Sequence, residues 1–576
     1  MNNVRRRRIA LALFTCLAMA PAAGGDEVKV AGIQAVHRHG QTFVTWKDAA
    51  EGEAGAAYRY SLYRSEQPIT AANLAQAELC YPGVFNNSAK LYGSAFNSKD
   101  RLDPAKPYAI IAEGAQPLPA WSGLAVHTAR KKAKAYYAVI ATSVKLEPLS
   151  TVVPGQSSTT VPVDEQPGPI QAIKLYDSKD RTGPYVKNTM ITGAKNLPVH
   201  VTLHGSQGTG GGAGDYGDYY LYFGTPELGY RDGLPGVLSV TESRPKNGAQ
   251  LTIRVRDAVE HPAGRAMESY WFGYLCVPVG ATHSEPRVYP YTSNQVVWIT
   301  RWVVEHYGAD PQRVSVGGGS SGGVGSYNVG LRRPDLFAAA FPSAARARRV
   351  PAVAFEGSFD RNNGAMMADG TTPYYDFVDG PKFAAEHHED LPFLGWSVGR
   401  NDYAATWQEQ IDMVQAMTAS HHGFAFSWNN GGHGEGGRAM PILEKYYPAG
   451  RFALHESYPA LGNSSINARL GSGDKTDGDL EGGVNLGFDW KEVVDESNRW
   501  SVALTNELAK SEMTVDVTPR RAQHFKPQAG ESFRWTASTG ASGTVAADAY
   551  KLVTVPAVVI KPGEATTLTI ERNSAK

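Results

Sequence analysis

Ser320 stands between glycines in Gly318-Gly319-Ser320-Ser321-Gly322, a stretch that follows the β-like Arg313-Val314-Ser315-Val316 and leads into a helix-like segment. In that context a G-x-S-x-G motif lets a serine hydroxyl project from a sharp strand-to-helix turn, because residues two before and two after have room for almost no side chain. The chemistry served is nucleophilic attack on an acyl carbon. Gly319-Ser320-Ser321-Gly322-Gly323 satisfies the same pattern centred on Ser321, so spacing alone leaves two candidate nucleophiles.

A serine hydroxyl is a poor nucleophile unless a histidine takes its proton and an acid orients that histidine. Downstream, Val398-Gly399-Arg400-Asn401-Asp402 follows one apolar β run, and Asn429-Asn430-Gly431-Gly432-His433-Gly434 follows the next. Asp402 and His433 are therefore the expected partners, in the chain order Ser, Asp, His. Asp360 and Asp390 rival the first; the pairs His421-His422 and His387-His388 rival the second.

The run from Ser320 through Arg332-Arg333-Pro334-Asp335-Leu336-Phe337-Ala338-Ala339-Ala340 resembles the elbow of secreted α/β-hydrolase esterases, the polyhydroxybutyrate-depolymerase and feruloyl-esterase-like group. In that group the nucleophile stands one residue before a Gly-Gly pair, after a single intervening residue, and this register selects Ser320. The resemblance implies an oxyanion hole built from the Ser321 amide and from an amide of the loop after Leu203-His204-Gly205, at Ser206 or Gln207. The full H-G-G-G form of that loop is missing here.

Those residues need elements to hold them. Between about 170 and 455, short β runs alternate with amphipathic helical patterns, which predicts a mostly parallel sheet with helices on both faces, an α/β-hydrolase unit. Val199-His200-Val201-Thr202-Leu203, Phe393 to Val398 and Phe424 to Trp428 read as strands. A helix is predicted from Asn294 to Tyr307, capped by Thr292 or Ser293, stopped by Gly308, and apolar at Val296, Ile299 and Val303.

Residues 26–165 show β alternation around Gln41 to Trp46, Tyr58 to Tyr63 and Ala135 to Ile140; the Trp46 and Tyr136-Tyr137 strands resemble those of a fibronectin type III domain with a long insertion at 80–125. Glu165-Gln166-Pro167-Gly168-Pro169 reads as the linker out of it. Residues 460–576 return to strand patterning and predict a C-terminal β-sandwich accessory domain. The fold class expected is thus multidomain, with a hydrolase flanked by two β-sandwiches. At 576 residues, with 42% hydrophobic and 19% charged, the chain has ample material for several cores.

Lys+Arg and Asp+Glu both number 56, so no long-range field collects nucleic acid or anionic membranes. Arg5-Arg6-Arg7-Arg8, the short apolar run Ile9 to Ala20 and the small residues Ala20-Pro21-Ala22 predict a signal peptide over 1–22, no membrane span and a secreted protein, the export route being open. Cys80 and Cys276 then remain, too few for a disulfide framework, and buried thiols are favoured over one bridge. Gly208-Thr209-Gly210-Gly211-Gly212-Ala213-Gly214 lacks the helix that a nucleotide cradle needs and reads as a substrate-lining loop. The acidic turn Asp474-Lys475-Thr476-Asp477-Gly478-Asp479-Leu480-Glu481 lacks calcium-loop spacing. No metal and no cofactor are expected. The function expected is a serine carboxylic-ester hydrolase on a polymeric or wall-linked ester. The alternatives are a peptidase resembling the prolyl oligopeptidase group and a non-catalytic binding protein on a hydrolase scaffold. Tyr374, Tyr375 and Phe377 read equally as pocket wall or core.

Overall fold

Alternation along Val199–Leu203 sends Val199, Val201 and Leu203 to one face of the strand and His200 and Thr202 to the other. A computed structural model describes residues 28–573 apart from 91–107, 110, 113–114, 130, 168–172, 175–194, 206–218, 223–234, 244–249, 256–258, 261–265, 268–269, 277–283, 349–364 and 475. The leader expected at 1–22, the donors Ser206 and Gln207, the glycine loop 208–214 and the rival Asp360 lie outside the described residues. Among the described residues no helix is long and apolar enough to cross a membrane.

The central sheet has ten strands: β1 (Ile173–Lys174), β2 (Val199–Leu203), β3 (Tyr219–Tyr222), β4 (Pro235–Ser243), β5 (Gln250–Val255), β6 (Val314–Gly319), β7 (Ala339–Ser343), β8 (Phe393–Gly399), β9 (Phe424–Asn429) and β10 (Gly482–Val484). Their order is β10-β9-β8-β7-β6-β2-β5-β4-β3-β1. The run from β5 to β9 is parallel, and antiparallel strands close both edges. Parallel pairing brings the C-terminal ends of β2, β6, β7, β8 and β9 to one rim, where loops can converge on a ligand.

Both faces are covered. On one, Val199, Val201, Leu203, Val316, Trp396 and Phe426 pack with residues of helix α1 (Tyr291–Tyr307) and of the helix Trp407–Ala419. On the other, Ala339, Phe341, Phe393 and Ala425 pack with Leu443 and Tyr446 of the helix Met440–Tyr446 and with Tyr458. Each fully buried large apolar side chain contributes about 1.5–3 kcal/mol of transfer free energy, so these two layers hold the rim in place.

Helix α1 buries Val296, Ile299 and Val303 and ends at Gly308, whose φ of 62° is the left-handed stop. It begins one turn earlier than its polar residues suggest, after Pro290. Ser293 is spent on a tertiary tie instead of a cap, its hydroxyl donating to the Trp271 carbonyl at 2.8 Å.

Residues 31–165 form two antiparallel sheets, one of three strands (Ala31–Arg38, Gln41–Lys47, Ser122–Thr128) and one of four (Glu78–Phe85, Tyr58–Ser65, Ala133–Ser143, Val163–Glu165). Trp46, Tyr60, Leu62, Cys80, Tyr137 and Val139 lie in the core between them. The last strand is pinned by Glu165, whose buried carboxylate accepts from Thr42 Oγ1 at 2.8 Å and Arg64 Nε at 3.0 Å.

Beyond residue 457 a second sandwich forms, with sheets of three and five strands around Phe488, Trp500, Val515, Phe533 and Ile570. The chain does not cross into it once. After its first strand, Tyr458–Gly462, the chain turns back to lay β10 against β9, and only then completes the sandwich. Arg520 and Arg521 reinforce the junction from the sandwich side: Arg520 Nε binds Asp390 Oδ1 at 2.9 Å, and Arg521 Nη1 donates to the Ala453 carbonyl at 3.1 Å.

Candidate active site

Strand β6 delivers Ser320 to the rim, and helix α2 (Ser321–Gly325) leaves immediately after it. Ser320 takes φ 55° and ψ −120°, a strained conformation for a residue with a Cβ. The local sequence permits the turn because a Cβ at Gly318 would lie 2.3 Å from the Leu203 carbonyl oxygen and 2.8 Å from the Gly322 carbonyl carbon. The turn is closed by Ser320 N–H donating to the Ser343 carbonyl at 2.9 Å and by Val324 N–H donating to the Ser320 carbonyl at 3.0 Å.

Ser320, His433 and Asp402 stand in one hydrogen-bonded line. Ser320 Oγ lies 2.8 Å from His433 Nε2, and His433 Nδ1 lies 3.0 and 2.9 Å from the two oxygens of Asp402. Two loops from neighbouring strands make this line possible, those after β8 and β9. They are stitched together by Arg400 N–H to the Asn429 carbonyl at 2.8 Å and Asn401 N–H to the Gly431 carbonyl at 2.9 Å. Gly399 is needed for that approach, since a Cβ there would fall 2.4 Å from the Gly431 carbonyl oxygen. Asp402 is 1% exposed, and its Oδ1 also accepts from Ala404 N–H at 2.7 Å and Ala405 N–H at 3.1 Å. The hydrogen bond to Asp402 raises the His433 pKa above the ordinary histidine value, and the carboxylate charge adds to it; partial burial works the other way. Such an imidazole can take the Ser320 proton and hold it as a carboxylate-stabilised cation.

The second serine does different work. Ser321 is buried, and its hydroxyl donates to the His204 carbonyl at 3.4 Å, away from His433. The same carbonyl accepts from Trp271 Nε1 at 3.1 Å, and the Trp271 ring meets the His204 ring edge-on at 4.8 Å. Ser321 is the first residue of α2, where helical amides have no intrahelical acceptor, so its N–H is available at the rim beside Ser320. Trp271 thus holds the start of the loop that follows Leu203-His204-Gly205. No motif marks it, because its partner is 67 residues away in the chain.

Four of the rival residues, Asp390, His387, His388 and His422, are engaged elsewhere. Asp390 binds Arg520 at the sandwich junction. His422 Nε2 lies 2.7 Å from the His387 carbonyl, His387 Nδ1 lies 2.7 Å from Glu389, and His388 stacks on Tyr550. Tyr374 is buried against Phe272, Met367 and Val378, with Tyr375 and Phe377 packed on that cluster, which makes the trio core.

Among the described residues no group of three or more His, Cys, Asp or Glu side chains is placed to hold a metal ion. The acidic turn has an internal cation instead. Arg400, fully buried over the Trp407 ring, donates to the carbonyls of Asp474 (3.2 Å), Asp477 and Asp479. Trp407 Nε1 and Trp428 Nε1 add hydrogen bonds of 2.9 Å to the Leu470 and Asp479 carbonyls. Arg400 stands two residues before Asp402, so the turn buttresses the acid's own loop. Its role was illegible in the sequence because these three acceptors are main-chain oxygens, more than 70 residues away along the chain.

No family model matches the chain, and no curated protein matches it. Among solved structures it is similar to a protein described as a dipeptidyl aminopeptidase IV from Bacteroides ovatus ATCC 8483, at 13% identity and a TM-score of 0.28 over 55% of this chain and 40% of that one. It is similar to FphF, a fluorophosphonate-binding serine hydrolase of Staphylococcus aureus, at 16% identity and a TM-score of 0.28 over 46% of this chain and 92% of that one. An S-formylglutathione hydrolase from Agrobacterium tumefaciens shows 14% identity and a TM-score of 0.28 over 42% of this chain and 78% of that one. The chain spans 40% of the length of the first of these three hydrolases.

Proposed function

We propose that the protein is a secreted serine carboxylic-ester hydrolase of the α/β-hydrolase type, working on a polymeric or wall-linked ester. The observation that carries this is the position of His433, in hydrogen-bond contact with Ser320 on one side and Asp402 on the other. Ser320 Oγ attacks the acyl carbon as its proton passes to His433 Nε2; the oxyanion takes up the Ser321 amide and a donor from 206–207; His433 then hands the proton to the departing alcohol. Water, deprotonated in turn by His433, releases the acid from the acyl-enzyme. No step calls for a metal or cofactor.

The ester reading is supported by the Gly-Ser-Ser-Gly-Gly elbow and by the small size of the N-terminal part, two sheets of three and four strands among the described residues, where a peptidase of the prolyl oligopeptidase kind would carry a propeller. Two flanking sandwiches suit attachment to an extended substrate. The test is turnover of p-nitrophenyl esters against X-Pro anilides, with fluorophosphonate labelling alongside. Ester turnover with Ser320-dependent labelling is expected. Turnover of the anilide alone would make the protein a peptidase, and absence of labelling would make it a binding protein.

A further inference from the structure

Tyr403 is an aromatic ring in an unusual place: 72% exposed, yet with its centroid 5.4 Å from the His433 imidazole at an interplanar angle of 55°. An exposed tyrosine is ordinarily free to move away from its neighbours. Here the backbone on both sides is tied down. Asp402 N–H donates to the Gly399 carbonyl at 2.9 Å, Ala404 and Ala405 N–H donate to Asp402 Oδ1, and the Ala404 carbonyl accepts from Arg346 Nε. The carboxylate that orients His433 therefore also fixes the turn that presents Tyr403. Beside the imidazole there is room among the described residues: a Cβ at Gly432 or Gly434 would meet none of them within 4 Å.

The direction of the chemistry assigns this space. The acyl carbonyl points to the oxyanion side, towards Ser321 and the loop at His204, whereas His433 must reach the oxygen of the departing group to protonate it. A ring packed against the imidazole that protonates the leaving oxygen is placed to border the alcohol half of the ester. We propose that Tyr403 is the wall of an alcohol subsite, and that the alcohol it selects is carried on a ring with a broad face, the C–H face of a sugar or the plane of an aryl group, which can lie against the phenol face. A straight aliphatic alcohol offers no such face. This rests on the esterase reading of the same site.

The test uses the full chain and esters that share one acyl group, butyrate, on a glucosyl, a phenyl and an n-hexyl alcohol. A common acyl group gives a common deacylation step, and dividing kcat/KM for the ring alcohols by that for n-hexyl cancels any general damage to Asp402. In Tyr403→Ala this ratio is expected to fall about five- to tenfold, the worth of one aromatic contact, and in Tyr403→Phe to stay within about twofold of wild type. The glucosyl and phenyl ratios, taken separately, say which ring is preferred. Unchanged ratios in Tyr403→Ala, or a change seen when acyl chains are varied on one alcohol instead, would overturn the subsite. Wild type that is labelled by fluorophosphonate but turns over none of the esters would sink the esterase reading and the subsite with it.

Discussion

A Cβ on Gly322 would lie 2.0 Å from the carbonyl oxygen of Leu203 and 2.7 Å from that of His204. Backbone atoms at the end of a central strand cannot move aside, so Gly322→Ala is expected to spoil the elbow. Gly319→Ala provides the contrast, its Cβ coming no nearer than 4.0 Å to the Ser343 carbonyl oxygen. Fluorophosphonate labelling should be lost with the first, together with a lower melting temperature, and kept with the second. Equal behaviour of the two would mean that the packing of β2 against α2 is looser than described.

Ser320→Ala should abolish labelling. Ser321→Ala keeps the amide proposed to serve the oxyanion and loses the hydroxyl contact to His204, so activity within about tenfold of wild type is expected, in line with the loss of one ordinary hydrogen bond. Mass spectrometry of the labelled peptide checks both. A label on Ser321 would reverse the roles of the two serines.

The pH dependence has a definite sign. His433 accepts a proton only when neutral, and its pKa is raised above 6.5 by Asp402, so kcat/KM should climb along an acid limb lying above pH 6.5. Asp402→Asn removes that cause and leaves burial, which acts downwards; the limb should move to lower pH while kcat falls on the order of 10³- to 10⁴-fold. The linked effect on stability follows the same sign. The contact between charged His433 and Asp402 is fully present below pH 6.5 and is lost as pH rises through the raised value.

Arg400→Met should loosen the turn at 474–479 and, through it, the loop that bears Asp402. Hydrogen bonds from a charged donor are worth about 1.5–3 kcal/mol each, so a drop of roughly 5 °C or more in melting temperature is expected, with kcat reduced more than KM is raised. Because the carbonyls of that turn already face Arg400, EDTA and added calcium should leave the melting temperature of wild type unchanged. A calcium-dependent rise would show that the turn binds an ion after all.

How much of this was legible beforehand depended on range. The elbow at Gly318-Gly319-Ser320 could be read because the strand, the glycines and the serine lie in one short stretch of sequence, and Asp402 and His433 because each comes a few residues after an apolar β run. Trp271, Arg400 and Tyr403 could not, since their roles come from partners brought near by the sheet: the carbonyl of His204, the oxygens of a turn more than 70 residues on, and the imidazole of His433. Strand β10 escaped for another reason. Gly482-Gly483-Val484 has almost no strand propensity and pairs only because the edge of β9 is there to receive it. Helix α1 starts three residues before the expected Asn294, and Ser293, a good cap by type, binds the Trp271 carbonyl instead.

The return of the chain to β9 after Tyr458–Gly462 also sets an order of events during synthesis. Ser320, Asp402 and His433 have all left the ribosome before the strand that seals the edge of their sheet exists, and Arg400 waits for its acceptors over the same interval. A nascent chain stopped at residue 455 would hold every reactive group and still present an open strand edge, the kind of surface that pairs with other chains. The terminal sandwich is therefore no exchangeable cassette: splicing at residue 460 cuts through the ten-stranded sheet that holds Ser320. A graft that keeps that sheet whole must retain everything through β10.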